Sequence, residues 1–323
     1  MKRRNGPKAW LTYAAMRVVV AVLRCFPVNW NLVTARVFAR IWWLAIPRHR
    51  QRAREHLRIA MGDELSDEDV ERLARQSFAQ LAMFAVDFIF VPHLINEWTW
   101  ARYVRLREMR DALRVMLDGK GALLLTGHFG NWELAGYLLA LFGFDVAAIM
   151  RPLDNVYLNR YVVSIRKHRG LELIDKVGAM DVAESVVQRG GALGFIADQN
   201  AGSKGLFVDF FGVQASTYKS IGLLAMATDT PIVVGYAHRV NNRFEFEVGV
   251  ERVIRPDEWK RQDDPLRWIT QEYSHAIEAS IRRAPEQYLW IHRRWKSRPR
   301  HETQPPQPKR RIDNAVQPVS TNG

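Results

Sequence analysis

GALLLTGHFGNWELAGYLLALFG, residues 121–143, is the stretch that decides the fold. Ala122 to Leu125 is an apolar run of buried-strand length. Gly127-His128-Phe129-Gly130 follows as a tight segment. Asn131 stands where a cap would open a helix whose apolar residues run to Leu141, with Gly143 as its stop. A strand, turn and helix in this order carry His128 to the C-terminal edge of a sheet and put Glu133 in the first helical turn. Two side chains at this spacing cannot share one helix face. They meet only if His128 lies in the loop and Glu133 in the helix, a turn that the flanking glycines permit. The expectation is an imidazole with a carboxylate behind it at a strand end.

Outward from this stretch, strand and helix patterns alternate. Strands are predicted over 146–150, 171–174, 192–197 and 231–238, with a neighbour over 244–250. Helices are predicted over 155–168, 181–188, 216–228 and 268–283, with a glycine-containing loop carrying Phe207, Phe210 and Phe211 between two of these elements. The alternation implies an α/β fold, a mostly parallel central sheet flanked by helices. Residues 51–120 read as a helical scaffold that completes this domain, which runs from 51 to 298. The scaffold has a capped start at Ser66-Asp67-Glu68-Asp69 and a charged amphipathic helix from Arg102 to Leu117. Residues 299–323, rich in proline, glutamine and charge, are expected to be disordered.

The 323 residues are 48% hydrophobic, enough for one large domain with appendages. The single cysteine, Cys25, excludes an internal disulfide and any cysteine-built metal site. The net charge of +13 is concentrated at the ends: residues 1–58 hold thirteen Lys/Arg against Glu55 alone, and the middle of the chain is mildly acidic. Basic residues interleaved with aromatics suit an anionic membrane surface. No nucleic-acid motif accompanies them, so no nucleic-acid partner is expected. Residues 1–50 read as basic, membrane-associating helices. Residues 9–28 are apolar but interrupted by Arg17 and Arg24, and residues 31–47 repeat the theme around Arg36 and Arg40. Three arrangements fit: two amphipathic helices lying in the bilayer interface, a single span over 9–28, or two core-packed helices.

The strands end at informative residues, namely His128, Arg151 and Asp198. Ligands of open α/β sheets bind beyond the carboxyl ends of the strands. Phosphate-binding glycine loops, a G-x-S-x-G elbow and an HExxH helix are all absent from the sequence. His128 and Glu133 alone make a poor metal site, so no metal is expected. What remains is a general base without a protein nucleophile, suited to deprotonating a substrate hydroxyl.

GHFGNWEL at 127–134 resembles the H-x-x-x-x-[DE] motif of the bacterial lipid A biosynthesis acyltransferases, the lauroyl/myristoyl late acyltransferases. Arg151-Pro152 with Asp154-Asn155 and Arg166, then Ala197-Asp198-Gln199-Asn200 with 207–212, and finally APEQYLWIHRRWK at 284–296 resemble three further blocks of that family. The similarity spans roughly residues 10–300. It implies a glycerolipid-acyltransferase-like fold and O-acyl transfer from an acyl-carrier-protein thioester to a hydroxyl of a lipid A precursor, at the cytoplasmic face of a bacterial inner membrane. The partners it implies are the carrier protein, a membrane glycolipid and the anionic membrane surface. No cofactor is implied beyond the thioester co-substrate. By the same resemblance His128 is the base and Glu133 its partner. Arg151 and Arg166 would bind anionic groups, and Asp198, Gln199 and Asn131 would line the substrate site. Another glycolipid acceptor with an acyl-CoA donor, or a non-catalytic lipid-holding scaffold, are the alternatives.

Overall fold

The structure, a computed structural model, describes residues 4–167, 170–175, 179–300, 302 and 306–309. Four helices come first: α1 (Pro7–Arg24), α2 (Val28–Ala45), α3 (Pro47–Met61) and α4 (Asp67–Leu94). A one-turn helix α5 (Trp100–Tyr103) leads into strand β1 (Val104–Arg107) and helix α6 (Arg110–Leu117). The α/β core follows as β2 (Ala122–Thr126), α7 (Leu134–Leu141), β3 (Val146–Met150), α8 (Val156–Lys167), β4 (Glu172–Asp175), α9 (Ala179–Gln188) and β5 (Ala192–Ile196). The remainder is β6 (Leu206–Phe210), β7 (Val213–Thr217), α10 (Ser220–Thr228), β8 (Ile232–Arg239), β9 (Phe246–Ile254), α11 (Pro256–Trp259) and α12 (Pro265–Arg283).

Seven strands form one sheet in the order β1-β9-β8-β2-β5-β3-β4. Every neighbouring pair is parallel except β8 and β9. The apolar run of the opening stretch is the central strand β2, with Leu123 and Leu125 fully buried between layers. Parallel strands need crossover helices, and α7, α8, α9 and α10 supply them. Two local expectations fail. The helix foreseen over 102–117 breaks at Glu108, whose φ of +52° turns the chain, and residues 104–107 instead pair with β9 at the sheet edge. The loop foreseen around Phe207 is the antiparallel hairpin β6–β7. It takes Ser216 and Thr217 into a buried strand and delays the next helix to Ser220.

The amphipathic N-terminus has two unlike faces. Leu32, Ala35, Ala39 and Trp43 of α2 are buried, on the side that packs on α4. The other stripe, Trp30, Val33, Val37, Ile41 and Leu44, follows the same helical spacing and is bare, with Leu44 71% exposed. On α1, Trp10, Leu11, Val18 and Val22 are likewise exposed. Helix α1 rests on α8, with Tyr13 stacked on Tyr157 at 6.1 Å and Arg17 over the Tyr161 ring at 5.1 Å. Among the described residues α4 is the helix long and apolar enough to cross a membrane. It carries Asp87, however, buried in an ion pair with Arg239 of β8, and this marks it as a core helix. Within the segment 299–323, Lys309 donates its backbone N–H to the Arg58 carbonyl at 3.0 Å. The rest of the expected disordered tail lies mostly outside the described residues.

Candidate active site

Register explains why two distant residues meet. Thr126 of β2 pairs directly with Ile196 of β5. His128 and Asp198 each lie two residues beyond that pair, at the carboxyl edge of the sheet. Asp198 accepts twice from the same residue: His128 Nδ1 bonds its Oδ1 at 2.8 Å and the His128 backbone N–H bonds its Oδ2 at 2.9 Å. The carboxylate side chain is fully enclosed and the imidazole is 13% exposed. Asp198 was expected to line a substrate pocket, with Glu133 behind the imidazole. The structure gives the place behind the imidazole to Asp198. The pairing of strands with long intervening sequence decides this, and local spacing in the motif does not contain it.

Glu133 turns the other way. Its Oε2 accepts from Arg166 Nε of α8 at 2.8 Å, and Oε1 accepts from Arg166 Nη2, a two-pronged guanidinium–carboxylate pair. Helix α7 starts one residue after Glu133, which occupies the cap position with no side-chain capping bond. Asn131 does not cap that helix either. It is buried, and its amide donates to Asp87 Oδ2 at 3.3 Å. Arg166, foreseen at an anionic substrate group, has its fork on Glu133 and its Nη1 at Met150 Sδ. Arg151 follows β3 at the same sheet edge and is exposed. Gln199 lies at the opening, its carboxamide Nε2 donating to His128 Nε2 at 3.4 Å.

Contacts that the sequence alone does not show fix the loop in place. Gly130 has φ +56° and packs so tightly that a Cβ there would sit 2.1 Å from the Ala237 carbonyl oxygen, so only glycine fits. Gly130 N–H donates to Gln287 O, Asn131 N–H to Ala237 O, and Leu289 N–H to His128 O. Gln287 in turn bonds both backbone groups of Arg239, at 2.8 and 2.9 Å. Arg239 reaches Asp87 Oδ2 at 2.5 Å, while Asp87 Oδ1 has no partner among the described residues. A lone acid within the apolar later part of α4 was the available signal for Asp87. His292, from the 284–296 signature, stacks on His128 with ring centroids 5.7 Å apart. Trp132 meets the imidazole edge-on at 5.1 Å and stacks on Phe84. The cavity beneath, lined by Phe84, Asp87, His128, Trp132, Arg239 and Leu289, has a volume of about 10 Å³. That holds roughly one water.

The electrostatics fit a base. Burial pulls the His128 pKa down, but the charge and hydrogen bond of Asp198, helped by the Glu133 charge, outweigh it and raise the imidazole above its ordinary value. Burial pushes the Asp198 carboxyl up, yet the charge of His128 and its two bonds hold it well below the usual carboxylate range. Burial keeps His292 below the ordinary histidine value, with His128 and Arg294 opposing its protonation further and Asp198 favouring it. Burial pushes Asp87 up to about 6 against the pull of Arg239. Asp198 with His128 is therefore an anion that fixes the ring tautomer, leaves Nε2 as acceptor, and stabilises a proton arriving there.

Residues 1–297 match the family described as bacterial lipid A biosynthesis acyltransferase. The chain belongs to this family of O-acyltransferases. Similar relatives are the lipid A biosynthesis palmitoleoyltransferase of Escherichia coli K12, 26% identical over 91% of this chain and 93% of the relative, and the lauroyltransferase of the same organism, 24% identical over 91% and 94%. The lipid A biosynthesis acyltransferase of Haemophilus influenzae is 22% identical over 76% of this chain and 74% of its own.

Proposed function

We propose that this acyltransferase moves a fatty acyl chain from an acyl-carrier-protein thioester to a hydroxyl of a lipid A precursor, with His128 as general base. The observation that carries the role of the base is the doubly bonded His128–Asp198 pair at the sheet edge, its Nε2 facing the opening beside Gln199. His128 Nε2 takes the proton from the acceptor hydroxyl as its oxygen attacks the thioester carbonyl. The tetrahedral intermediate collapses with cleavage of the carbon–sulfur bond, and the imidazolium returns the proton to the departing thiolate. Asp198 stabilises the imidazolium through both steps. The Gln199 carboxamide supplies a donor beside the reacting atoms. Glu133, clamped by Arg166, adds negative charge near the ring and ties the loop to α8.

The exposed apolar stripes of α1 and α2 support attachment to the cytoplasmic face of the inner membrane, with Arg36 and Arg40 beside the stripe for anionic headgroups. Exposed Arg151 is a candidate for an anionic group of the acceptor.

The test supplies purified protein with acyl-carrier-protein and acyl-CoA thioesters and a lipid A precursor, and weighs the products by mass spectrometry. Acylated precursor from the wild type, and none from His128→Ala with an unchanged circular-dichroism spectrum, is the expected result. Turnover by the variant at the wild-type rate would remove His128 from its role.

A further inference from the structure

Helix α3 places five arginines between Arg48 and Arg58 against the single acid Glu55. Arg54 is bonded to Glu71 and Arg58 to Asp67. Arg50 reaches the Trp43 carbonyl and ring. Arg48 and Arg52 have no ion pair among the described residues. Separated by four residues, they share one helix face, and His56 continues it. His56 Nδ1 bonds the Trp290 carbonyl at 2.8 Å, and its ring meets Trp295 at 5.5 Å. This face of α3 therefore runs along the segment that carries His292 on the base and Arg293, exposed, beside it. The three arginines lie close enough to feel one another: burial lowers the Arg52 pKa, and the charges of Arg293 and Arg48 lower it further, against a small opposing effect of Glu55. Unpaired like charges cost stability, and a basic cluster held together without carboxylates awaits an anionic partner.

Two classes of partner could neutralise it. A bilayer contact needs apolar side chains interleaved with the cations, as on α1 and α2. The exposed large apolar residues stop at Ile46 and resume only at Trp98, so α3 has none. The patch is purely cationic, and it adjoins the reacting imidazole through a single residue, His292.

We infer that Arg48, Arg52 and Arg293 form the docking surface for an acidic protein that carries the acyl thioester on a tethered arm and delivers it to His128 past His292. The inference rests on the acyl-transfer reading above and adds where the donor lands. Docking through exposed charges sets encounter and KM, and leaves the chemical step alone.

The experiment compares wild type with Arg48→Glu/Arg52→Glu/Arg293→Glu in three measurements. Direct binding of acyl-carrier protein is followed by fluorescence anisotropy. Turnover uses a small acyl-pantetheine thioester that has no protein attached. Sedimentation uses vesicles containing anionic lipid. Carrier binding is expected to weaken by roughly tenfold or more and to lose its salt dependence. Small-donor turnover and vesicle binding stay at wild-type values. Unchanged carrier binding overturns the inference. Lost vesicle binding overturns it too, and makes the patch a membrane contact. A parallel fall in small-donor turnover, with the thermal midpoint held, overturns it in favour of a role at the reacting centre. Carrier binding is read without turnover, so a wild type that binds the carrier but transfers nothing would refute the acyl-transfer reading while leaving the docking surface standing.

Discussion

Asp198→Asn is the sharpest test of the site, because the two bonds that Asp198 accepts cannot both survive the change. In the native protein one carboxylate oxygen takes the His128 ring N–H at 2.8 Å and the other takes the His128 backbone N–H at 2.9 Å. An asparagine offers one oxygen and one NH2 group. If the NH2 faces the backbone, two donors oppose each other in a fully buried place, at a cost of roughly 1–3 kcal/mol for each unmet group. If it faces the ring, Nδ1 must become the acceptor and the proton moves to Nε2, where no lone pair is left to take the hydroxyl proton. The second arrangement keeps both bonds to His128, the ring bond with its donor reversed, and prevails. It leaves the wrong tautomer, so kcat/KM should fall by roughly three to four orders of magnitude, about 4–5 kcal/mol of transition-state stabilisation. The pH profile separates this from a general loss of fold. Without the anion, burial acts on His128 with only the Glu133 charge against it, so its pKa falls from its raised value and the residual activity has its acidic limb at lower pH. The assay is acyl transfer to the lipid A precursor across the histidine titration range, with the thermal midpoint measured alongside. A variant within about tenfold of wild type, or an acidic limb that does not move, would refute the argument.

Glu133→Gln keeps the shape but removes the anion that Arg166 grips, and should lower kcat/KM by roughly ten- to a hundredfold, well short of the Asp198 change. A larger loss than for Asp198→Asn would return the orienting role to Glu133. In the wild type, activity should rise with pH through a midpoint above about 6.5, since His128 must be neutral to act and its pKa is raised. Its contribution to stability runs oppositely, full below about pH 6.5 and lost as pH climbs through the folded value, which a pH series of melting curves would show. Replacing exposed Trp30, Val37 and Ile41 by serine should leave the fold intact and weaken vesicle sedimentation by at least roughly a hundredfold, at about 1–2 kcal/mol of lost burial per side chain. Undiminished sedimentation would place the membrane contact elsewhere. Substitution is a cleaner probe here than deleting residues 1–47, which would also strip Leu32 and Trp43 from the core.

Periodicity and glycine punctuation carried most of the architecture, because strands β2, β3, β5 and β8 are short apolar runs bounded by glycine, proline or polar residues. Where tertiary pairing overrode local preference, the reading failed. Residues 104–107 look helical in a charged amphipathic context and become a strand because β9 offers an open edge. The site divides in the same way. His128, Arg151 and Asp198 were visible as polar strand ends. Which carboxylate faces His128 was not visible, since the answer is the lateral order of β2 and β5, separated in the chain by three helices and two further strands. A motif spacing of five residues suggests a local partner, and the sheet supplies a remote one. The clamps on the loop, Gln287 and the Asp87–Arg239 pair, were out of reach for the same reason. Each joins residues far apart in the chain, 48 positions for Gln287 and Arg239 and 152 for Asp87 and Arg239, and only the odd placement of an acid in α4 hinted at one of them.

The wiring around His128 has a further consequence for how two substrates of unlike chemistry can meet. On one flank, Glu133 is clamped to α8, and α8 carries α1 through Tyr157 and Tyr161. The apolar N-terminus is therefore joined to the site by a short chain of contacts. On the other flank, His292 stacks on the imidazole, and its segment is tied to the basic face of α3 through His56. A lipid hydroxyl held at the membrane side and a thioester delivered from water would thus approach the same Nε2 from opposite flanks. The imidazole cannot swing to favour either one. Asp198 grips both its ring and its backbone, and Gln287, Ala237 and Leu289 fix the loop on three sides. As the base proposed above, a His128 held this rigidly would take the proton from one substrate and return it to the other without losing its alignment.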